Sequence, residues 1–167
     1  TTTRPQFDTL SELHKIAEMG PELRCVLRIR ADDPGARVPL GLKYGAETSE
    51  AAGLLAAAKE LGLVVMGVSF HVGSAAKNLA TFTNAIDNAR KVFDDAQALG
   101  FHMELLDIGG GFTGRFDAGG NVMFGEIANT INAALASAFP PDACPGLRVI
   151  AEPGRYFAES SATLFTP

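Results

Sequence analysis

Four clusters of reactive residue types stand at regular intervals along this 167-residue chain. Arg28 and Arg30 come first, with Asp32 and Asp33 close behind. His71 and Ser74 follow, separated by Val72 and Gly73. Gly109, Gly110 and Gly111 form an unbroken glycine run, and Glu152, Pro153, Gly154 and Arg155 close the series. Three consecutive glycines bring backbone N–H groups to an anion with no Cβ in the way, which makes a phosphate cradle; the same run also suits a tight turn with positive φ. It is neither a Walker loop nor a dinucleotide fingerprint, because no Lys-Ser/Thr follows and Phe112 breaks the pattern. Ser74 has a hydroxyl to donate to a phosphate oxygen, or to cap a turn or helix. His71, directly behind an apolar run, reads as a catalytic or a structural histidine. Glu152 with Arg155 reads as a salt bridge, or as a carboxylate that holds a heteroaromatic nitrogen protonated while Arg155 and N–H groups hold an anion. No second His or Cys stands at ligand spacing, which argues against a metal. Ser74 lacks a nucleophile-elbow context, which argues against a serine hydrolase.

These clusters need a scaffold, and the pattern around them supplies one. Four apolar, β-branched runs, LRCVLRIR (23–30), LVVMGVSF (63–70), MELLDIG (103–109) and LRVIAE (147–152), start 40, 40 and 44 residues apart. A stretch of helical periodicity precedes each. The first holds Phe7, Leu10, Leu13, Ile16 and Ala17, with Thr9 and Glu12 spaced as a capping box and Gly20 as the stop. The second runs from about Ser49 to Leu61, ending at Gly62. The third steps through Phe82, Ile86, Ala89, Phe93 and Ala96 to Gly100, and the fourth through Phe124, Ile127, Ile131 and Leu135 to Pro140. Strands alternating with helices imply βαβ units and a parallel sheet: a doubly wound sheet, or part of a (β/α)8 barrel. A whole barrel takes about 200–250 residues, so this chain would be half of one. Each reactive cluster follows the C-terminal end of a strand, where both architectures place their sites.

Composition narrows the classes. A net charge of −5 argues against a nucleic-acid binder. Apolar residues make up 47% of the chain, enough for a core, yet no run approaches the ~20 residues of a membrane span. Two distant cysteines, Cys25 and Cys144, provide neither a disulfide framework nor a zinc site and point to a reducing, cytoplasmic setting. Lys43 lies a dozen residues past the first strand and not at a strand end, so it is not assigned a covalent role.

SFHVGS (69–74), LLDIGGGF (105–112) and AEPGRYF (151–157), in this order and at these separations, resemble the eukaryotic-type ornithine decarboxylases. Those are pyridoxal 5'-phosphate enzymes with an alanine-racemase-like barrel. LRIRADD (27–33), PLGLKYGA (39–46) and the FDTLSEL opening fit the same family. The resemblance implies an α/β fold, a partial (β/α)8 barrel over residues 1–157, with 158–167 leading into a β-rich domain. It implies that His71 stacks on the pyridoxal ring as a catalytic residue. Ser74, Gly109, Gly110 and Gly111 would bind the phosphate, with Pro153, Gly154 and Arg155 closing around it. Glu152 would pair with the pyridinium nitrogen, and Arg28 would lie near the cofactor. The implied reaction is decarboxylation of L-ornithine to putrescine for polyamine biosynthesis, in a homodimer. The alternatives are a non-catalytic homologue that binds antizyme, or a decarboxylase of lysine, arginine or diaminopimelate. The family's cofactor-bearing lysine and proton-donating cysteine are expected outside residues 1–167, so the chain alone is expected to be inactive and marginally stable.

Overall fold

The computed structural model describes residues 4–20, 22–31, 36, 40, 43–76, 78–114, 124–159 and 161. Asp32 and Asp33, parts of the loop around Lys43, and nearly all of the 160–167 segment lie outside them. Along the described chain run β1 (Gln6–Phe7), α1 (Leu10–Met19), β2 (Arg24–Arg28), α2 (Ala51–Glu60), β3 (Val64–Ser69), α3 (Leu79–Ala98), β4 (Leu105–Asp107), α4 (Phe124–Ala138), β5 (Arg148–Ile150) and α5 (Gly154–Ala158). The strands form one parallel sheet in the order β1-β2-β3-β4-β5. Sequential order without a reversal excludes the doubly wound alternative, which needs a switch point. It is the order of a (β/α) barrel segment.

Local chemistry explains the helices. Thr9 caps α1, accepting from the Glu12 N–H at 3.3 Å, and Asn78 caps α3, accepting from Ala80 N–H at 3.0 Å. Along α3 the buried positions Phe82, Ala85, Ile86, Ala89, Val92, Phe93 and Ala96 recur at three- and four-residue steps, so one stripe faces inward. Burying a side chain such as Phe82 contributes roughly 1.5–3 kcal/mol. All four long helices bury their stripes in one continuous core on a single face of the sheet. Among the described residues, the apolar layer on the other face is Val26, Met66 and Leu105 with Ile150 packed against them, a thin layer of the kind that lines a barrel interior. Alternation assigns the faces: in β2 Cys25 and Leu27 join the helix-side core, while Val26 points the other way.

Two elements depart from expectation. Phe7 belongs to a two-residue strand and not to the first helix, because Gln6 and Phe7 pair with Val26 and Leu27. The four-strand pattern therefore becomes five. Arg155 lies in α5, a short helix beyond the four helical stretches expected. The expected strands are all present, though shorter than their apolar runs. Ladder hydrogen bonds nevertheless continue just outside them, as from Phe70 N–H to Asp107 and from Ile108 N–H to Ile150. Among the described residues, no helix is long and apolar enough to cross a membrane.

Candidate active site at the strand ends

Parallel register creates a polar row at the C-terminal edge of the sheet. Arg28 stands beside Ser69, and Ser69 beside Asp107. Asp107 continues the inward alternation of Leu105, just as Arg28 continues that of Val26. Gln6 joins from β1, where its side-chain oxygen accepts from the Ser69 hydroxyl at 3.2 Å. The row therefore caps the apolar interior layer. Together with His71 and Glu152, these residues line a small cavity. Arg28 also packs over the Tyr44 ring, 5.1 Å from its centroid.

His71 follows β3 and is half-buried. Its Nδ1 accepts from the Gly73 N–H at 3.0 Å, so the neutral ring carries its proton on Nε2. Burial first, then the Arg28 charge, lowers its pKa, with Glu152 acting the other way. The imidazole is thus a flat, uncharged plate at neutral pH. Asp107 is buried, and its Oδ1 accepts from the Gly109 N–H at 2.9 Å. Burial, and then the neighbouring Glu152 carboxyl, push the Asp107 carboxyl up; the Gly109 N–H and Arg28 oppose them. Glu152 is held in place through its backbone, whose N–H donates to Gly109 O at 2.7 Å. The two acidic residues of this small cavity are therefore both tied to Gly109, Asp107 through its carboxyl to the N–H and Glu152 through its backbone to the C=O.

The glycine run has two physical reasons. Gly109 and Gly111 have φ of 61° and 104°, in the left-handed region. A Cβ on Gly109 would lie 2.2 Å from Phe70 O, one on Gly110 2.8 Å from Glu152 O, and one on Gly111 2.7 Å from Gly73 O. The missing side chains thus let three strand-end loops touch, a closer constraint than the anion clearance expected from sequence. The N–H groups of Gly110 and Gly111 are buried and donate no hydrogen bond among the described residues. Buried orphan donors are costly and rare, and an anion would satisfy them.

Ser74 and Arg155, 81 residues apart, meet here: Arg155 Nε donates to the Ser74 hydroxyl. The salt-bridge reading of Glu152 with Arg155 is not realised, because Arg155 pairs with Glu159 at 2.9 Å, one helical turn on. Pro153 precedes α5, and Gly154 faces open space, with nothing within 4 Å of where a Cβ would stand. Every expected site residue therefore lies at one end of the sheet, Glu152 and Gly154 at its exposed rim. Sequence reasoning missed Asp107, Gln6, Thr113 and Glu159. Asp107 alone left a signal, an acid ending an otherwise apolar run. Cys25 is inert: burial pushes its thiol up to about 11.

Comparison with known proteins identifies the family. The family described as pyridoxal-dependent decarboxylase, pyridoxal binding domain, matches residues 3–159. Ornithine decarboxylase of Mus musculus is 49% identical over 158 residues, covering 95% of this chain and 33% of the relative. Antizyme inhibitor 2 of Xenopus laevis is 44% identical over 158 residues, covering 95% and 34%. The crystal structure of Paramecium bursaria Chlorella virus arginine decarboxylase bound to agmatine superposes with a TM-score of 0.82 at 39% identity, covering 91% of this chain and 39% of that one. The chain spans about a third of the length of the curated relatives it matches. With a matching family profile over nearly its whole length and a sequentially ordered parallel sheet, the chain belongs to the pyridoxal-dependent decarboxylases and carries their pyridoxal-binding domain.

Proposed function

We propose that the protein containing this chain is a decarboxylase of basic amino acids that uses pyridoxal 5'-phosphate, and that its substrate is L-ornithine, released as putrescine. One observation carries the reading. One set is the orphan N–H groups of Gly110 and Gly111 and the Ser74–Arg155 pair; the other is a neutral imidazole and two carboxyls, and Gly110 adjoins it, since a Cβ there would meet Glu152 O at 2.8 Å and His71 Nε2 at 3.0 Å. The first set fits a phosphate and the second a flat heteroaromatic ring with a basic nitrogen.

In this reading Gly109, Gly110, Gly111 and Ser74 hold the phosphate, with Gly154 and Arg155 beside them. His71 offers its uncharged face to the ring, held against rotation by the Gly73 N–H. Glu152 keeps a proton on the ring nitrogen, with Asp107 lining the same small cavity. Arg28 balances this carboxyl pair from β2. When bound, the pyridoxal ring supplies an electron sink for the pair left behind as CO2 departs. The chain's own contribution is electrostatic preorganisation around it.

Incubating the full-length protein with L-ornithine, L-lysine and L-arginine, with and without pyridoxal 5'-phosphate, tests the reading through CO2 and diamine release. Cofactor-dependent putrescine formation is expected to exceed cadaverine and agmatine formation. Release from lysine or arginine alone would replace the substrate, and no release from any would overturn the enzyme. The similarity to antizyme inhibitor 2 supports a second reading, a non-catalytic homologue that binds antizyme. The presence of His71, Ser74, the Gly109–Gly111 run and the Glu152-Pro153-Gly154-Arg155 segment favours the enzyme. We further propose a cytoplasmic homodimer, for which a solution mass of two full-length chains is the expected result.

A further inference from the structure

Glu159 takes no part in the chemistry above, yet it is the most heavily bonded acid near the site. Its side chain is only 5% exposed, although it stands at the end of a surface helix. One carboxylate oxygen accepts from the Thr113 hydroxyl at 2.7 Å and from the Gly114 N–H at 3.3 Å. The other accepts from Arg155 Nη1 at 2.9 Å. Thr113 is itself buried, and Gly114 lies so close to α5 that a Cβ would meet Tyr156 O at 2.2 Å. The carboxylate therefore ties α5 to the segment that continues directly from the glycine run. The Thr113 hydroxyl, then Arg155 and the Gly114 N–H, hold its pKa below the usual carboxylate range against the effect of burial, so it is charged at neutral pH.

A negative charge beside a phosphate site opposes anion binding by Coulomb's law alone. What offsets this is geometry. Arginine has a long side chain that loses much rotamer freedom when fixed. Here two of its three nitrogens are fixed in advance, Nε on Ser74 and Nη1 on Glu159, while Nη2 has no partner among the described residues. A donor ordered before its ligand arrives binds with less entropic cost.

We propose that Glu159 is a positioning residue for the phosphate end of the site: by bridging Arg155 to Thr113 and Gly114, it presents the Arg155 guanidinium and the glycine segment as one rigid anion receptor. This rests on the functional reading above. The test uses the full-length apoprotein and measures Kd for pyridoxal 5'-phosphate and for pyridoxal, which lacks the phosphate, by ligand absorbance and fluorescence. In Glu159→Ala the phosphorylated ligand should bind about tenfold more weakly while pyridoxal changes less than about twofold. Glu159→Gln, which keeps an acceptor oxygen at the same reach, should recover most of the loss. If the alanine variant fails to fold, the ratio of the two affinities in Glu159→Gln decides: a selective loss of phosphate affinity, smaller than tenfold, supports the proposal. Equal weakening of both ligands would overturn it, since that is what a merely structural role predicts. Tighter binding of the phosphorylated ligand in either variant would also overturn it, because the carboxylate would then be competing for the receptor. Failure of the wild-type protein to bind pyridoxal 5'-phosphate at all would instead overturn the function on which the proposal rests.

Discussion

The two ends of the site are built by different means. The ring-side end starts from strands: Arg28 and Asp107 are terminal strand residues, brought abreast by parallel register through Ser69, and His71 and Glu152 stand just past strand ends. Its electrostatics come from burial, which lowers His71 and raises Asp107. The phosphate-side end stands on loops and a short helix, where backbone donors and long-range side-chain bonds replace register. A strand can place a side chain to within its pleat but cannot turn its N–H groups toward a ligand, because the ladder already uses them. Loops can, once glycine removes the steric barrier. The division of labour between charge and backbone thus follows from which groups secondary structure leaves unpaired.

Substitutions should separate the two ends, and the largest effect should fall where they join. Gly109 combines a left-handed φ with a Cβ position 2.2 Å from Phe70 O, and its backbone N–H and C=O bond Asp107 and Glu152 respectively. Gly109→Ala should cost about 3 kcal/mol or more of stability, read by urea unfolding of the full-length protein. A variant as stable as wild type would mean that the loops are not in the close contact described. Next comes Arg155→Ala, which removes a charged donor at the phosphate end. It should weaken pyridoxal 5'-phosphate binding by about 10- to 100-fold and pyridoxal binding far less. Equal losses for the two ligands would erase the distinction between the ends.

Asp107→Asn probes the ring side through pH. The folded-state pKa of Asp107 is raised, so its charged form is penalised in the fold. That penalty is present in full above the raised folded pKa, and it disappears as pH falls through that value toward the ordinary ~3.9. Asparagine keeps the acceptor for Gly109 N–H and carries no charge. The variant should therefore gain stability relative to wild type at pH 7, with the gain shrinking toward pH 4. A variant destabilised equally at both pH values would show that the carboxyl is not raised. The smallest effect is expected at Gly154, where a Cβ would meet nothing within 4 Å. Gly154→Ala should change stability by less than about 0.5 kcal/mol, in contrast to the alanine substitution at Gly109.

Much of the fold was legible because its signals are local. The helix stripes, the Thr9 cap and the apolar runs depend on spacing within one element, and the structure places most of them where the periodicity does, although Phe7 leaves the first stripe for β1 and Leu10 and Phe124 are exposed. β1 was not legible, since two residues carry no period and pair only because β2 offers an edge. Arg155 illustrates the same limit within the site. Its proximity to Glu152 in sequence suggested an ion pair, but α5 turns it toward Glu159 and Ser74.

By itself, the sequence determined the residue types, the strand-helix rhythm and the motifs that mark the family, all of them properties of neighbours along the chain. The tertiary structure decided which of the chemically able residues share a space. Parallel register set Arg28, Ser69 and Asp107 in one row, and close loop packing made the three glycines obligatory while leaving two N–H groups unpaired. Docking of α5 then joined Ser74 to Arg155 across 81 residues. Burial and hydrogen-bond pairing belong to contacts between distant segments, and only the folded chain brings those segments together.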